Sequence, residues 1–374
     1  MSIKKNVFRL NEVYDLVASS QLEYDAPTDP GSQSLFAWGH NGYGRVGDNT
    51  TIYRSSPIQI PGTAWSGIAG GYHHSLARKT NGTLWSWGNN SRGHLGDGTT
   101  ICRSSPIQIP GTSWCDITTV MCHSLATKTD STLWGWGDNA CGSIGDGTVI
   151  PRSSPVQVPG NAWSVIAAGK SSSAIKTDGT LWSWGYNQAG QLGDGTTVCK
   201  SSPIQIPGTQ WSDVTRGRYH ALARKTDGTL WSWGRGSYGQ LGNGNNICQV
   251  SPVQVSGNAW NDIAAGLHSL GRKTDGTLWA WGRAGSGQLG TNSVTYVSAP
   301  VQIPGAAWNG IGAGINFSFA RKTDGTLWAW GQNSGHLGDN TTIYRSSPIQ
   351  IPGTQWTEVV SGGNHTLARK CIPS

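Results

Sequence analysis

One spacing governs this chain. The motif aromatic-x-Trp-Gly places its Trp at Trp38, Trp87, Trp136, Trp184, Trp233, Trp281 and Trp330, at intervals of 49, 49, 48, 49, 48 and 49 residues. A period near 50, repeated seven times, marks a supersecondary unit that packs against copies of itself. All 20 tryptophans keep this phase. Two stand in Leu-Trp-x-Trp-Gly, where Phe36 substitutes once, and a third follows Pro-Gly, as at Trp65 and Trp356.

Each repeat reads as four short strands. In the first full copy, strand A is Ile68 to Gly71, strand B is His74 to Lys79 and strand C is Leu84 to Gly88; strand D is the Ser-Pro-Ile-Gln-Ile run, seen first at Pro57 to Ile60. Strands B and C alternate with period 2, and no helical period occurs in the repeats. Between B and C lie Asn81-Gly82, Asp178-Gly179, Asp227-Gly228, Asp275-Gly276 and Asp324-Gly325, with Asp130-Ser131 as a weaker version. Such pairs supply the positive φ of a tight hairpin turn.

Four antiparallel strands per unit, seven times over, predict an all-β, seven-bladed β-propeller. Strand A, rich in Gly and Ala, belongs at the crowded axis, and the indoles belong between blades. Only six B–C turns are present. The seventh blade is therefore expected to be shared: strands A and B near Val359 to Gly362 and His365 to Lys370, strands C and D near Leu35 to Gly39 and Pro57 to Ile60. This divides the chain into an N-terminal anchoring segment and linker (1–34), the propeller (35–371) and a short tail (372–374).

Composition narrows the function. Disordered chains are poor in aromatics, so 54 Gly and 13% charged residues here reflect turns and buried sheets. The net charge of +7 admits nucleic acid, anionic lipid or acidic glycan as partner. Seven cysteines without CxxC, and no secretory leader, fit a reducing compartment. No stretch is long and apolar enough for a transmembrane helix, so no membrane insertion is expected.

Chemistry-bearing residues resolve into structural roles. His74, His123, His220, His268 and His365 share one place in the repeat, which Ser172 and Phe317 take in the other two blades. Seven-fold positions stand too far apart to share a metal, so a hydrogen bond within each blade is expected. The Gly-rich loop Gly190 to Thr197 lacks both Gly-Lys-Ser/Thr and a following helix, so it is no phosphate cradle. Asp48, Asp97, Asp146, Asp194 and Asp339 read as turn hydrogen bonders. Arg78-Lys79 and its counterparts up to Arg369-Lys370 read as a solvated basic collar on one face.

No catalytic residue, metal ligand or cofactor site is assigned, and the chain is read as a non-enzyme. The A–B turns vary most between blades and emerge with the C–D loops on the opposite face. Variable loops on a constant scaffold are where ligands bind. The partner-binding candidates are Tyr72, His73, Lys170, Arg216, Arg218, Tyr219, Asn316 and Asn364.

The stretch from Tyr219-His220-Ala221-Leu222 through Asp-Gly-Thr-Leu-Trp-x-Trp-Gly to Gln240-Leu241-Gly242 resembles the repeat of the regulator of chromosome condensation family, and the resemblance covers residues 35–371. It implies a seven-bladed propeller with a shared closing blade. The founding member is a guanine-nucleotide exchange factor that also binds chromatin, and its exchange face carries an inserted wedge. Repeat lengths here differ by one residue, which leaves no room for a wedge.

The start of the chain, Met1 to Leu16, resembles structural proteins of marine tailed phages. That resemblance implies a virion component assembled in the host cytoplasm and anchored through Phe8, Leu10, Val13, Tyr14 and Leu16. The propeller would then be a decoration or receptor-recognition head. Its partners would be other virion proteins and a host-surface glycan or protein, with nucleic acid disfavoured. The alternatives are an intracellular regulator of the exchange-factor type and a lectin-like carbohydrate-binding propeller. The oligomeric state is left open.

Overall fold

The computed structural model describes residues 33–371. The expected anchoring residues Phe8, Leu10, Val13, Tyr14 and Leu16 lie outside the described residues. The described chain forms seven four-stranded antiparallel sheets. Blades 1 to 6 span residues 65–109, 114–158, 163–206, 211–255, 260–303 and 308–351, each with strands in the order A, B, C, D from the axis outward.

Blade 7 takes strands A (Trp356–Ser361) and B (His365–Cys371) from the C-terminal end and strands C (Gln33–Gly39) and D (Arg54–Gln59) from the N-terminal end. Seven residue pairs, from Gln33↔Cys371 to Gly39↔His365, join the two ends. The closure expected from the missing B–C turn is thus present.

The repeat motif can be read as contacts. In Asp-Gly-Thr-Leu-Trp, Asp227 accepts from the Thr229 amide and hydroxyl at 2.9 and 2.7 Å, and the Trp231 indole donates to that hydroxyl at 3.0 Å. Gly228 stands at φ +80°, the left-handed region that Gly adopts at little cost. The second Trp of each repeat is fully buried between blades, and its N–H donates to a carbonyl in the preceding blade's C–D loop, as from Trp87 to Arg45 at 2.8 Å. The loop must come close to do so. A Cβ on Gly96 would lie 2.8 Å from the Trp136 ring, which explains the Gly after Leu in Gly-x-Leu-Gly. Each outermost strand carries one proline: Pro57, Pro106, Pro155, Pro203, Pro252, Pro300 and Pro348.

The motif histidines behave differently from the expectation in two respects. Their bonds run between blades, not within them: His74, His123, His220, His268 and His365 meet Ser124, Ser172, Ser269, Ser318 and Ser75 of the next blade at 2.6–2.9 Å. The residue in the histidine's place in blade 3 is also Ser171, not Ser172, because Ser171 pairs with Gly185 as His74 pairs with Gly88. A one-residue shortening of that repeat hid the register. Each partner serine gives its single proton to a loop carbonyl, as Ser75 does to Arg45 at 2.8 Å. The imidazole must therefore donate from Nε2.

Burial holds these imidazoles neutral. It pushes His123 down to about 4, and His220 and His268 to about 3. Unfolded, they titrate near the ordinary value of about 6.5. Stability is thus full above that pH and is lost as pH falls towards 4, because the unfolded chain takes up protons that the fold refuses. Asp213, pushed up to about 6 by burial, opposes this, as do Asp116, Asp262 and Glu358, which burial also pushes up. Urea unfolding at pH 5.0 should show a loss on the order of 4 kcal/mol against pH 7.5.

The basic collar is also corrected. Lys79 lies 4.9 Å from the Trp65 ring centre and 4.6 Å from that of Trp85, and the lysine is held this way between two indoles in six blades. In blade 7, Phe36 replaces the outer indole and Lys370 meets only Trp356, at 5.5 Å. Phe36→Trp should complete the pair and raise the urea midpoint by about 1 kcal/mol of stability. The arginines turn to the axial mouth instead, where Arg369 meets Glu358 at 2.6 Å and Arg272 meets Asp262 at 3.7 Å.

Candidate partner-binding face

The two faces of the disc differ in origin. One carries the B–C turns and D–A connections, which are nearly the same in every blade. The other carries the A–B turns and C–D loops, where the repeats diverge. An axial cavity of about 240 Å³ joins them, lined by the A strands with Ile68, Ile117, Ile166, Val214, Ile263, Ile311 and Val359. Thr118, Thr215 and Ser361 stand among them and add hydroxyls to the apolar lining. At its B–C mouth, burial pushes the Asp116, Asp213, Asp262 and Glu358 carboxyls up, while Arg224, Arg272 and Arg369 pull on the last three. Among the described residues no group of three His, Cys, Asp or Glu could hold a metal ion.

The expected partner-binding residues fall into three groups. Lys170, Arg218 and Tyr219 come together on the A–B face: the Lys170 ammonium lies 5.0 Å and the Arg218 guanidinium 5.2 Å from the Tyr219 ring centre. Tyr72 and His73 form a second cluster with Tyr43, whose ring lies 5.5 Å from that of His73. Burial first, then the Arg45 guanidinium, holds His73 down to about 4, so it is uncharged at neutral pH. Asn316 donates its side-chain amide to Gln332 at 2.9 Å, whereas Asn364 accepts from the His40 amide at 2.9 Å through its backbone carbonyl.

Arg216 does not belong to the face. It is 2% exposed and points back into blade 3, donating to Ser173 and Ser183 hydroxyls at 2.6–3.0 Å and to the Ser172 and Gln191 carbonyls. Burial alone pulls its guanidinium down to about 9.

The first group is larger than the A–B turns suggested. Lys170 also lies over the Tyr186 ring at 4.8 Å, Arg235 over Tyr219 and Tyr238 at 5.5 and 5.2 Å, and Arg283 over Tyr238 at 5.4 Å. Tyr296 meets Tyr238 edge-on at 5.4 Å. This arc crosses blades 3, 4 and 5. Its four cations take part in none of the salt bridges among the described residues. Tyr186, Arg235 and Arg283 open their C–D loops, where the other blades have His40, Asn89, Asp138 and Gln332. Aligning the seven repeats with one another would have exposed this position, because six residue types occupy it in seven blades.

Ring closure, a constant scaffold and one divergent face define a closed seven-bladed propeller whose blades differ mainly in the turns of one face. A family profile described as RCC1-like domain matches residues 111–368, and the regulator of chromosome condensation (RCC1) repeat matches residues 33–78, 81–126 and, in a second form, 65–93. The chain belongs to the RCC1-like family. No curated protein matches it.

Among solved structures, human WBSCR16 is 21% identical, covering 90% of this chain and 98% of that one, with a TM-score of 0.81. Prp20p from Saccharomyces cerevisiae, described with its binding to Gsp1p and histones, is 21% identical over 92% of both chains, with a TM-score of 0.83. Yeast RCC1 (Prp20) bound to Kap60 gives 21%, 92% of this chain, 90% of that one and 0.83. At this identity the likeness is one of fold. These matches carry no sign of the tailed-phage resemblance.

Proposed function

We propose that the chain is a non-enzymatic binding propeller whose A–B face takes a polyanionic partner. The observation that carries this reading is the arc of Lys170, Arg218, Arg235 and Arg283, four cations set against tyrosines with no carboxylate paired to them. Cations held on aromatic rings lose less freedom on binding, and Tyr and Arg are common anchors of interfaces. The test is retention on immobilised polyglutamate, sulfated polysaccharide and oligothymidylate. Arg235→Glu should abolish retention of whichever polyanion binds. Thr112→Glu with Thr209→Glu shifts the net charge equally on the opposite face and should change little. Equal loss in both variants, or no retention at all, would remove the proposal.

Two finer readings attach to this face. The likeness to yeast RCC1 (Prp20) supports an exchange-factor type of regulator, although the even repeat lengths provide no wedge. Accelerated nucleotide release from a small GTPase, lost in Arg235→Glu, would establish it. Residues 1–34 support an anchored virion component with the propeller projecting from it. Purified particles lacking the chain by mass spectrometry would exclude that form.

A further inference from the structure

Next to the Lys170 end of the arc lies a cup of about 230 Å³. Met121, Cys122, Ala140, Cys141, Tyr186 and the Lys170 stem form most of its wall, with Asp138 on the side facing Arg92. Lys170 and Tyr186 thus belong to both features. The cup has room for one large apolar side chain, and the arc beginning at its lip is cationic throughout.

We infer that this continuous surface binds an extended acidic peptide, with one large apolar side chain in the cup and carboxylates along the arc; the inference rests on the binding reading above. Charge complementarity selects an anion. The state of the rings selects its kind. Bases of single-stranded nucleic acid stack on open aromatic faces. Here Tyr219 has Lys170, Arg218 and Arg235 within 5.0–5.5 Å of its centre, and Tyr238 has Arg235, Arg283 and the edge of Tyr296. Stacking a base would displace these cations. What the arc offers outward is guanidinium and ammonium N–H, which a carboxylate accepts without disturbing the rings.

The cup adds a demand that a uniform polysaccharide or polyphosphate does not meet, an apolar group at one end. Laid along its ring contacts from Tyr186 to Arg283, the arc is at most about 26 Å long, which an extended peptide of about eight residues covers. Alternate side chains of such a strand face the surface, so acidic residues at every second position would meet the cations.

The test uses fluorescein-labelled peptides of alternating Glu and Ser, about twelve residues long to exceed that span. They carry Trp near the N-terminus, near the C-terminus, or not at all, and binding to the full chain is read by anisotropy at low salt. One Trp-bearing peptide should bind about fivefold or more tighter than the Trp-free one, the gain coming from apolar burial. Arg235→Glu and Arg283→Glu should each weaken all three by about tenfold or more, while Thr112→Glu with Thr209→Glu should not. Filling the cup with Cys141→Tyr should erase the advantage of Trp and leave the Trp-free peptide unchanged. Thermal melts confirm that each variant is folded.

Equal binding of all three peptides overturns the role of the cup. Tighter arc-dependent binding of oligothymidylate or sulfated polysaccharide overturns the peptide assignment and leaves the binding function standing. No arc-dependent binding of any probe overturns both.

Discussion

A chain that stops at Gly362 is expected not to fold. Truncation there removes strand B of blade 7, which stands between strands A and C of the same blade and is paired along its whole length with Gln33–Gly39. Two unpaired strand edges would open, and the residues buried around Trp38, Phe319 and Trp356 would lose the cover of Ala368. Closed domains of this kind hold a net stability of only about 5–15 kcal/mol, and the loss of a central strand exceeds it. The expected readings are no cooperative urea transition and a collapsed near-ultraviolet spectrum.

A converse experiment strengthens the same joint. The Gln33 side chain already meets the Cys371 sulfur at 3.4 Å, and the two residues pair directly. Gln33→Cys should form a disulfide on mild oxidation and stabilise the ring by up to about 4–5 kcal/mol, since it closes a very long loop. An oxidised variant with an unchanged midpoint would show that the two ends are not what limits unfolding.

Arg216→Ala is expected to cost about 2–4 kcal/mol, because it leaves two hydroxyls and two carbonyls without their buried donor and opens a cavity, partly offset by the removal of a desolvated charge. The reason lies in three neighbouring departures from the repeat. At the joint between blades 3 and 4, Ser171 stands where five blades have His and one has Phe317, Ser173 where the others have Leu or Phe, and Ala221 where they have Ser or Thr. The vacated space is polar, and the guanidinium fills it with hydrogen bonds to two hydroxyls and two carbonyls.

The quadruple variant Arg216→Ala, Ser171→His, Ser173→Leu and Ala221→Ser recreates the chemistry of the other joints. It should recover most of the loss. Ser171→His alone should destabilise, because the ring and the guanidinium compete for one space. If the quadruple variant is as weak as Arg216→Ala, the arginine is not standing in for the histidine bond.

What could be read in advance was whatever repeats within a blade. The Trp phase, the Asp-Gly turns and the missing seventh turn were enough for the blade count and the shared sheet, because each reflects contacts between residues close in sequence. Contacts between blades join positions about one repeat apart, and no local pattern reports them. For that reason the His74–Ser124 bond was assigned to a single blade, and the place of Ser171 was missed by one residue. The lysines at Lys79 and its counterparts looked solvated because their partners, Trp65 and Trp85, lie on the two flanking strands. On the binding face, Lys170, Arg218 and Tyr219 were found through the variable A–B turns. Arg235, Tyr238 and Arg283 lie in the C–D loops, where the recurring glycines and the apolar residue between them draw the eye away from the variable residues at the loop's start. Arg216 ends strand A, and that place turns its side chain into blade 3 and away from the face where it was expected.

The prolines of the outermost strands bear on how densely this molecule can be packed. A disc built of sheets exposes seven backbone margins around its circumference, each able to recruit a neighbour's strand. One missing amide in the middle of every margin interrupts that recruitment. Many copies could therefore stand shoulder to shoulder at high concentration without fusing into fibrils.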